Sequence, residues 1–313
     1  MVDVYLTDAA ALAEISSLHQ SVLCAEVIAA LAPKAGGRYV DATVGLGGHA
    51  EAILEASAPS GSLIAIDRDD RAIELSRRRL ARFGDRVTFV NAEFSAIREI
   101  VGGQIDGLVA DLGVSSIQLD DPSRGFSFSS SGPIDMRMGG GRTALELIGS
   151  TTVEELASIL SNLGEVRGAR RVARAILEAH AAGKLETTRD LAEAVARVSE
   201  KGGKTHPATR AFMALRIATN AELEELDALL SQLPEILSLS GRAALISFHS
   251  LEDRRVKQVA RGESPSGELP RGLPFARSQS ALALVGKSVV PSEEEIARNP
   301  RARSARLRVL ARR

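Results

Sequence analysis

The fold of this chain is decided at Tyr39-Val40-Asp41-Ala42-Thr43-Val44-Gly45-Leu46-Gly47-Gly48-His49-Ala50. The first three residues have the character of a short strand that ends in an acid, and a glycine-rich turn follows. The apolar spacing after the turn, at Ala52, Ile53 and Ala56, predicts a helix. A strand, a glycine turn and a helix in this order let a nucleoside-containing cofactor approach the backbone closely.

The turn alone is compatible with two classes of cofactor. Gly45-x-Gly47-x-x-Ala50 matches a relaxed form of the dinucleotide-binding fingerprint, and Asp67, at the end of the next apolar run, stands where such folds bind a ribose. Asp41 favours the other class, because a carboxylate beside the turn repels a pyrophosphate. S-adenosyl-L-methionine carries an ammonium and a sulfonium and no phosphate, so an acidic strand end complements it. We therefore expect S-adenosyl-L-methionine rather than a nicotinamide dinucleotide.

Composition narrows the class of protein. The 313 residues are 44% hydrophobic, which is enough for a large α/β domain with an insert or for two domains. The single cysteine, Cys24, excludes an internal disulfide framework, and the five histidines are scattered, so no metal site is predicted. No apolar run is long enough to span a bilayer. Residues 1–14 lack a basic end followed by an apolar block, so we expect a cytoplasmic protein.

Strand and helix patterns alternate between residues 39 and 112. Strands are predicted at residues 39–41, 63–67, 87–91 and 107–111, with helices at 50–56, 70–83 and 95–101. Alternation at this spacing is typical of βαβ units and a parallel sheet. The predicted strands end in the polar residues Asp41, Asp67, Asn91 and Asp111. Ligands of open α/β sheets bind beyond the carboxyl ends of the strands, so these ends predict a binding crevice.

The alternation breaks after residue 118. Residues 121–142 are rich in Gly, Ser, Pro and Arg and are predicted to form a long functional loop. Three helices are expected after it, at residues 152–164, 165–182 and 187–201, and the first and third begin at capping boxes. We therefore predict a discontinuous α/β domain over residues 1–118 and 207–313, and an all-helical insert over residues 119–206 that recognises the substrate.

The second part of the predicted domain restores the α/β pattern. A linker at residues 201–207 precedes a long helix that carries Phe212, Leu215 and Leu223. A buried strand is expected at residues 242–249, and a loop at residues 263–280. Two final strands, at residues 281–285 and 304–310, are predicted to be antiparallel.

Motifs along almost the whole chain resemble those of one family. They are Val40-Asp41-Ala42-Thr43-Val44-Gly45-Leu46-Gly47-Gly48-His49, Asp111-Leu112-Gly113-Val114-Ser115-Ser116, Gln118-Leu119-Asp120, Arg124-Gly125-Phe126-Ser127-Phe128, Asp135-Met136-Arg137-Met138, His206-Pro207-Ala208-Thr209-Arg210, Ala214-Leu215-Arg216-Ile217, Ile246-Ser247-Phe248-His249-Ser250-Leu251-Glu252-Asp253-Arg254 and Asn299-Pro300-Arg301-Ala302-Arg303-Ser304. By them the chain resembles the bacterial 16S ribosomal RNA cytosine-N4-methyltransferases, the RsmH or MraW family. It departs from the family pattern at Ser21 and Ile117, where prolines are usual, and at Gly168 and Met213.

The resemblance implies a class I S-adenosylmethionine-dependent methyltransferase fold, Rossmann-like and mostly parallel. The implied substrate is the exocyclic N4 of a cytidine in the decoding region of 16S ribosomal RNA, and the implied partner is the assembled small ribosomal subunit. The sequence leaves a homodimer open. The family's cofactor contacts fall on Gly47, Gly48, His49, Asp67, Phe94, Asp111 and Gln118, and the charge argument adds Asp41. Phe94 can cover an adenine face or be an ordinary core residue.

Methylation of N4 sets the requirements for catalytic residues. The nitrogen must lie in line with the S–CH₃ bond, and a group must accept one of its protons. Asp111 is predicted to be that acceptor or its organiser, while Ser115, Ser116 and His249 are candidates to hold the base edge. For His249 the alternative is a strand-end histidine bonded to backbone. No covalent intermediate is expected, and the target base must leave its stack.

Other functions stay open on the sequence. A DNA amino-methyltransferase uses the same chemistry, but Asp111-Leu112-Gly113-Val114 lacks the Pro-Pro-aromatic motif usual at that strand end. A non-catalytic RNA-binding module could keep the fold, although the intact acidic strand ends argue against it. An NAD-linked reductase is a more distant third.

Two basic segments predict an RNA-facing surface. Arg167, Arg170, Arg171 and Arg174 recur at i, i+3, i+4 and i+7, which places them along one face of a helix. Near the C-terminus, a strand would point Arg306 and Arg308 the same way. The alternative is that these arginines pair with nearby acids such as Glu165 and Glu178.

Overall fold

The structure, a computed structural model, describes residues 21–199, 206–263 and 280–313. The chain divides into two compact units. The sheet unit comprises Met1–Gly113 with Leu223–Arg313, and the helical unit comprises Val114–Glu222. The sequence placed these divisions near residues 118 and 206, so both boundaries differ from the prediction. No helix among the described residues is long and apolar enough to cross a membrane.

The described residues of the sheet unit form seven strands in one sheet. They are β1 (Arg38–Asp41), β2 (Ser62–Asp67), β3 (Val87–Asn91), β4 (Ile105–Asp111), β5 (Leu237–Ser247), β6 (Leu282–Leu284) and β7 (Arg306–Arg312). Their order is β3-β2-β1-β4-β5-β7-β6. Strands β1 to β5 run parallel to one another, whereas β7 runs antiparallel to β5 and to β6. The predicted class I, Rossmann-like fold with an antiparallel final pair is therefore confirmed.

The helices of the described residues are, in chain order, α1 (Cys24–Leu31), α2 (Gly48–Ala56), α3 (Asp70–Leu80), α4 (Ile97–Val101), α5 (Ser116–Asp120), α6 (Ala144–Gly149), α7 (Val153–Gly164), α8 (Ala169–Ala181), α9 (Thr188–Val198), α10 (Ala208–Asn220), α11 (Glu222–Ile236), α12 (Ser250–Ala260) and α13 (Glu293–Arg298). Short 3-10 segments extend α3 to Arg86 and precede α4. The helices predicted after β1, β2 and β3 are all present.

Helices cover both faces of the sheet. Tyr39 and Val109 pack in one core with α1, α2 and α3, while Val40 and Leu108 pack in a second core with α4, α11 and α12. Alternate residues of each strand are thus buried on opposite sides, which explains why the strands appear in the sequence as nearly continuous apolar runs. Under this cover the end of β1 at Asp41 is buried, whereas the end of β3 at Asn91 is exposed.

The helical unit has a core of its own, formed by residues of α6 to α10 and of the loop at 121–142. Capping boxes begin α7 at Thr152 and α9 at Thr187, as predicted. The loop is fixed by Asn220, which is 2% exposed. Its side chain donates to the carbonyl of Met136 at 2.7 Å and accepts from the N–H of Met138 at 2.8 Å.

Two helix predictions in this region were wrong. Helix α8 begins at Ala169 and not at residue 165, because Glu165 (φ 50°) and Gly168 (φ 65°) adopt left-handed conformations between α7 and α8. The single long helix expected from residue 207 is two helices, separated at Ala221 (φ 49°).

The second error explains the shifted domain boundary. Residues of α10 such as Phe212 and Leu215 pack in the helical core, so α10 belongs to the insert. Strand β5 begins at Leu237, earlier than predicted. Most of the predicted linker at 201–207 and loop at 263–280 lies outside the described residues, as do the residues before Ser21.

Candidate functional site

The site begins with three acids at the carboxyl ends of adjacent strands. Asp41 ends β1 and pairs in register with Ala65 of β2 and Val109 of β4. Asp67 and Asp111, which end those two strands, therefore lie two residues further along on either side of it. The parallel register brings the three predicted carboxylates together at one edge of the sheet, as the sequence implied. Asn91, at the end of β3, is exposed and donates to the carbonyl of Asp67 at 3.1 Å.

Asp41 is almost completely buried, with 1% of its surface exposed. Its Oδ1 accepts the N–H of Thr43 at 3.1 Å, whereas Oδ2 is buried and has no hydrogen-bond partner among the described residues. Burial raises the pKa of this carboxyl to about 7; the N–H groups of Thr43 and Ala50 oppose the rise, and the charge of Asp67 adds to it.

Asp111 is held by its backbone, and its carboxyl is left without a partner. Its N–H donates to Oγ1 of Thr43 at 2.7 Å, while its Oδ1 is buried and has no hydrogen-bond partner in the described part of the chain. Burial raises its pKa to about 8, and the charges of Asp41 and Glu252 add to the shift. Thr43 thus links the ends of β1 and β4, a role that the sequence analysis did not assign.

Two buried carboxylate oxygens without partners are costly for a folded protein. Nearly all buried polar atoms are hydrogen-bonded, and an exception calls for a specific reason. A positively charged ligand would supply what both oxygens lack, because it would offset the buried negative charge and provide donors. The arrangement therefore matches a cationic cofactor and opposes an anionic one.

Asp67 supports the glycine turn. Its Oδ2 accepts the N–H of Gly45 at 2.9 Å, and its Oδ1 accepts the N–H of Asp69 at 2.9 Å. Burial is the main reason that its pKa is raised to about 6. The N–H of Gly45, which a dinucleotide site could offer to a phosphate, is thus already bonded to a carboxylate. The remaining lone pairs of Asp67 can still accept a ligand hydroxyl, and its ribose contact stays a prediction.

The glycines of the turn are packed by the chain itself. Gly47 has a φ of 80°, which favours glycine. A Cβ on Gly48 would lie 2.0 Å from Oγ of Ser21. The buried ring of His49 has its Nε2 2.9 Å from the carbonyl oxygen of Val22. Gly48 and the His49 side chain therefore hold the residues before α1, and a cofactor contact at these positions would fall to the backbone.

Phe94 follows β3 in a short 3-10 segment. It is partly buried and packs against the core that α4 and α11 share. Its carbonyl accepts from Nε2 of Gln232 at 3.3 Å. The ring thus has a packing role in the structure, and the adenine contact stays a prediction.

The end of β5 is organised by an acid that the sequence analysis overlooked. Glu252 is 3% exposed, and its Oε2 accepts the N–H groups of Phe248 at 2.8 Å and His249 at 3.3 Å. His249 is the N-cap of α12, with Nδ1 facing the Glu252 N–H at 3.5 Å. Its Nε2 lies 3.1 Å from Glu252 Oε1 but lacks hydrogen-bond geometry there. The His-x-x-Glu spacing of a capping box could have identified this pair.

Ser115 and Gln118 form a reciprocal cap in the helical unit. The Ser115 hydroxyl accepts the Gln118 N–H at 3.3 Å, and the Gln118 side-chain oxygen accepts the Ser115 N–H at 3.0 Å. They begin α5, four residues after Asp111 in the chain. Both side chains therefore have a structural task, and the predicted base and cofactor contacts remain predictions.

The predicted RNA surface is placed only in part. Arg167, Arg170, Arg171 and Arg174 are all exposed, but Arg167 precedes α8 because the helix begins at Ala169. Arg170 pairs with Glu154 at 2.6 Å, and not with the acids that the sequence suggested.

The two arginines of β7 have partners within the sheet unit. The Nε of Arg308 lies 2.5 Å from Asp253 Oδ1, and the Arg308 side chain is 13% exposed. Nη1 of Arg306 donates to the Ser288 hydroxyl at 2.8 Å. Arg308 is therefore removed from the predicted RNA surface, because its charge is already paired and largely buried.

Comparison with known proteins gives consistent matches. A family model described as the MraW methylase family matches residues 16–313. The ribosomal RNA small subunit methyltransferase H of Sorangium cellulosum is 50% identical over 302 residues, which cover 94% of this chain and 90% of the relative. Its namesake from Thioalkalivibrio sulfidiphilus is 47% identical over 307 residues, with coverages of 94% and 97%. A candidate rRNA methylase of Clostridium thermocellum, known as a crystal structure, aligns over 94% of this chain and 99% of its own at 11% identity and a TM-score of 0.47.

The raised pKa of Asp111 predicts how stability depends on pH. Burial, Asp41 and Glu252 raise it to about 8 from 3.8, so between these values the folded protein holds a proton that the unfolded chain has lost. Stability should therefore fall as the pH rises through this window. Asp111→Asn should flatten that fall and raise the melting temperature at pH 8 by roughly 2–4 °C, measured by calorimetry.

Asp253→Asn is the matched control. Burial raises the pKa of Asp253, but its bonds to Arg308 and Lys257 outweigh burial and lower the pKa below its usual value. This carboxylate stabilises the fold above its unfolded pKa, so Asp253→Asn should lower the melting temperature at pH 8. Equal effects of the two substitutions would contradict the assignment.

Proposed function

The chain belongs to the MraW methylase family, and on that premise we propose that it transfers a methyl group from S-adenosyl-L-methionine to the N4 of a cytidine in the RNA of the small ribosomal subunit. The relatives' names support the class of substrate. The single observation that most supports this proposal is the pair of buried oxygens without hydrogen-bond partners among the described residues, Asp41 Oδ2 and Asp111 Oδ1.

The donor set is compatible with S-adenosylmethionine. When bound, this cofactor supplies an electrophilic methyl group on a sulfonium. Asp41 and Asp111 would hold its positive charges, and Asp67 would accept its ribose hydroxyls. Phe94 would cover the adenine. The contact at the turn would come from the backbone of Gly47 to His49, because the Gly48 position and the His49 ring are packed against residues 21 and 22.

Asp111 is proposed to accept the N4 proton. Burial and the charges of Asp41 and Glu252 raise its pKa to about 8, so without a ligand it is mostly protonated at neutral pH and cannot act as a base. Positive charge beside the carboxyl favours its ionised form. Asp111 would thus become a base only when the cofactor site is filled, which ties proton acceptance to the presence of the methyl donor.

His249 receives a different role from the one that the sequence suggested. Both of its ring nitrogens face Glu252 in the cap of α12, so we propose that it positions the turn after β5 rather than holding the base edge. The turn lies beside Asp111, because Asp111 pairs in register with Ile246. Ser115 and Gln118, which cap α5, stay candidates for substrate and cofactor contacts.

The alternative functions are less well supported. A nicotinamide-linked reductase needs a site for pyrophosphate, whereas here the turn faces buried carboxylates and the Gly45 N–H is bonded to Asp67. A DNA amino-methyltransferase shares the chemistry and differs in substrate, so only a substrate assay separates it. The RNA substrate would place the reaction in the cytoplasm, on the assembled small subunit, and the case for a homodimer stays open.

Cofactor binding should release protons. Burial chiefly raises the pKa values of Asp41, Asp67 and Asp111 to about 7, 6 and 8, so some of these carboxyls carry protons at pH 7. Because a cation favours their ionised forms, affinity for S-adenosylmethionine should rise between pH 6 and pH 8, about tenfold per pH unit for each proton released. Calorimetry in two buffers of different ionisation enthalpy measures the protons.

Two other ligands serve as controls for that measurement. S-adenosylhomocysteine has the ammonium but no sulfonium, so it should bind with a smaller proton release. NAD should not bind. The proposed site would be wrong if the protein bound NAD but not S-adenosylmethionine, or if cofactor binding released no protons.

The reaction itself is tested on small subunits from cells that lack the gene. Labelled methyl groups should appear as N4-methylcytidine when the RNA is digested and analysed by mass spectrometry. Asp111→Asn should lower kcat at saturating cofactor by roughly 100-fold or more, because general base catalysis contributes at least that much. Glu99→Gln, at an exposed acid of α4, is the control. A different methylated nucleoside, or normal turnover by Asp111→Asn, would contradict the mechanism.

We propose that Arg170, Arg171 and Arg174 contact RNA phosphates. Replacing all three by glutamine should weaken subunit binding and reduce the slope of log affinity against log salt by about 0.7–0.9 for each phosphate that is no longer neutralised. Cofactor affinity should not change. The control replaces Arg77, Arg78 and Arg82, exposed arginines of the sheet unit, and removes the same charge. If the two triple variants bind subunits with equal affinity, the proposal is wrong, and the three arginines of α8 form only a solvated face.

A further inference from the structure

Two sequence motifs that the proposed reaction does not use come together in the helical unit. Phe128, from the first, has its ring centroid 4.8 Å from that of His206, from the second. The centroid of the Phe128 ring also lies 4.9 Å from that of Phe212, in an edge-on arrangement with an interplanar angle of 66°. Three aromatic rings thus form a short series.

The series leads from the core to the surface. Phe212 is 5% exposed and belongs to the helical core, Phe128 is partly buried, and His206 is exposed. Nδ1 of His206 accepts the N–H of Ala208 at 3.2 Å, so the proton of the neutral imidazole lies on Nε2 and the orientation of the ring is fixed. The outermost ring is therefore held in place while it faces solvent.

Packing alone accounts for only part of this arrangement. Contact with Phe212 is sufficient to anchor Phe128 and its loop. His206 is exposed, yet its ring is oriented by a hydrogen bond. Aromatic residues are only 3% of the chain, and the helical core is otherwise mostly aliphatic. A fixed and exposed ring is available to stack on a ligand.

The surroundings favour a nucleic acid as that ligand. His206 stands just before α10, whose N-terminal end carries partial positive charge. Arg210, in the first turn of α10, is exposed and donates from Nη1 to the carbonyl of Glu165 at 3.0 Å. Positive groups beside an aromatic surface are what a nucleotide requires, since its base stacks and its phosphate is anionic.

We propose that Phe128 and His206 form a stacking platform for an unstacked base of single-stranded RNA in the substrate. The identity of the RNA rests on the proposed function, whereas the platform itself rests on the ring geometry. Every base has a π face, so stacking of this kind contributes affinity with little sequence preference.

The test compares four variants on two probes. The probes are isolated small subunits and a single-stranded RNA oligonucleotide that carries 2-aminopurine, whose fluorescence is quenched by stacking. His206→Ala should weaken binding to both probes by roughly 5- to 100-fold and reduce the quenching. Phe128→Leu keeps apolar packing against Phe212 but removes the ring, so it should weaken binding similarly with a near-normal melting temperature. His206→Phe should restore binding, because it restores a ring.

His180→Ala is the matched control, since His180 is a histidine of the same unit in the last turn of α8. It should bind RNA like the unchanged protein, and all variants should keep their affinity for S-adenosylmethionine. Normal RNA binding by His206→Ala and Phe128→Leu would contradict the platform. It would also be contradicted if His206→Phe bound RNA as weakly as His206→Ala. If the unchanged protein quenches 2-aminopurine but does not methylate subunits, the platform stands and the proposed function fails.

Discussion

The burial of ionisable carboxyl groups at the carboxyl end of a parallel sheet is the constraint on which the rest of the site depends. Asp41 and Asp111 are brought together by strand register, and helices cover both faces of the sheet around them. The nearby hydrogen bonds join backbone N–H groups to side-chain oxygens, from Asp111 to Thr43 and from Gly45 to Asp67, and one oxygen of each buried acid has no partner among the described residues. Such an arrangement favours a cationic ligand over an anionic one.

The helical unit follows a different principle. Its core is separate from those of the sheet, and its helices begin at reciprocal caps such as Thr152 with Glu155. Asn220 fixes the long loop at 121–142, because its buried side-chain amide accepts the N–H of Met138 and donates to the carbonyl of Met136. The loop can therefore present Phe128 in a fixed position without a strand to support it.

Sequence patterns predicted the parts of the molecule that periodicity controls. Strand ends, and hence Asp41, Asp67 and Asp111, follow from apolar runs and parallel topology. The break at Ala221 was not predictable, because a left-handed alanine leaves no mark in composition, and it moved α10 from one unit to the other. The roles of His249 and Gln118 depend on which polar atom meets which backbone group. Residue spacing shows that a cap is available but not that the side chain forms it.

The contact between Gly48 and Ser21 has a consequence for how the sequence can change. Their side-chain positions overlap so closely that a methyl group at residue 48 would displace the hydroxyl at residue 21. The two positions therefore constrain each other in evolution, although 27 residues separate them in the chain. A fusion or truncation that disturbs residues 21 and 22 would also loosen the turn through His49. Residues 21 and 22 therefore act as a structural part of the glycine turn. Any chimera should take both segments from the same parent protein.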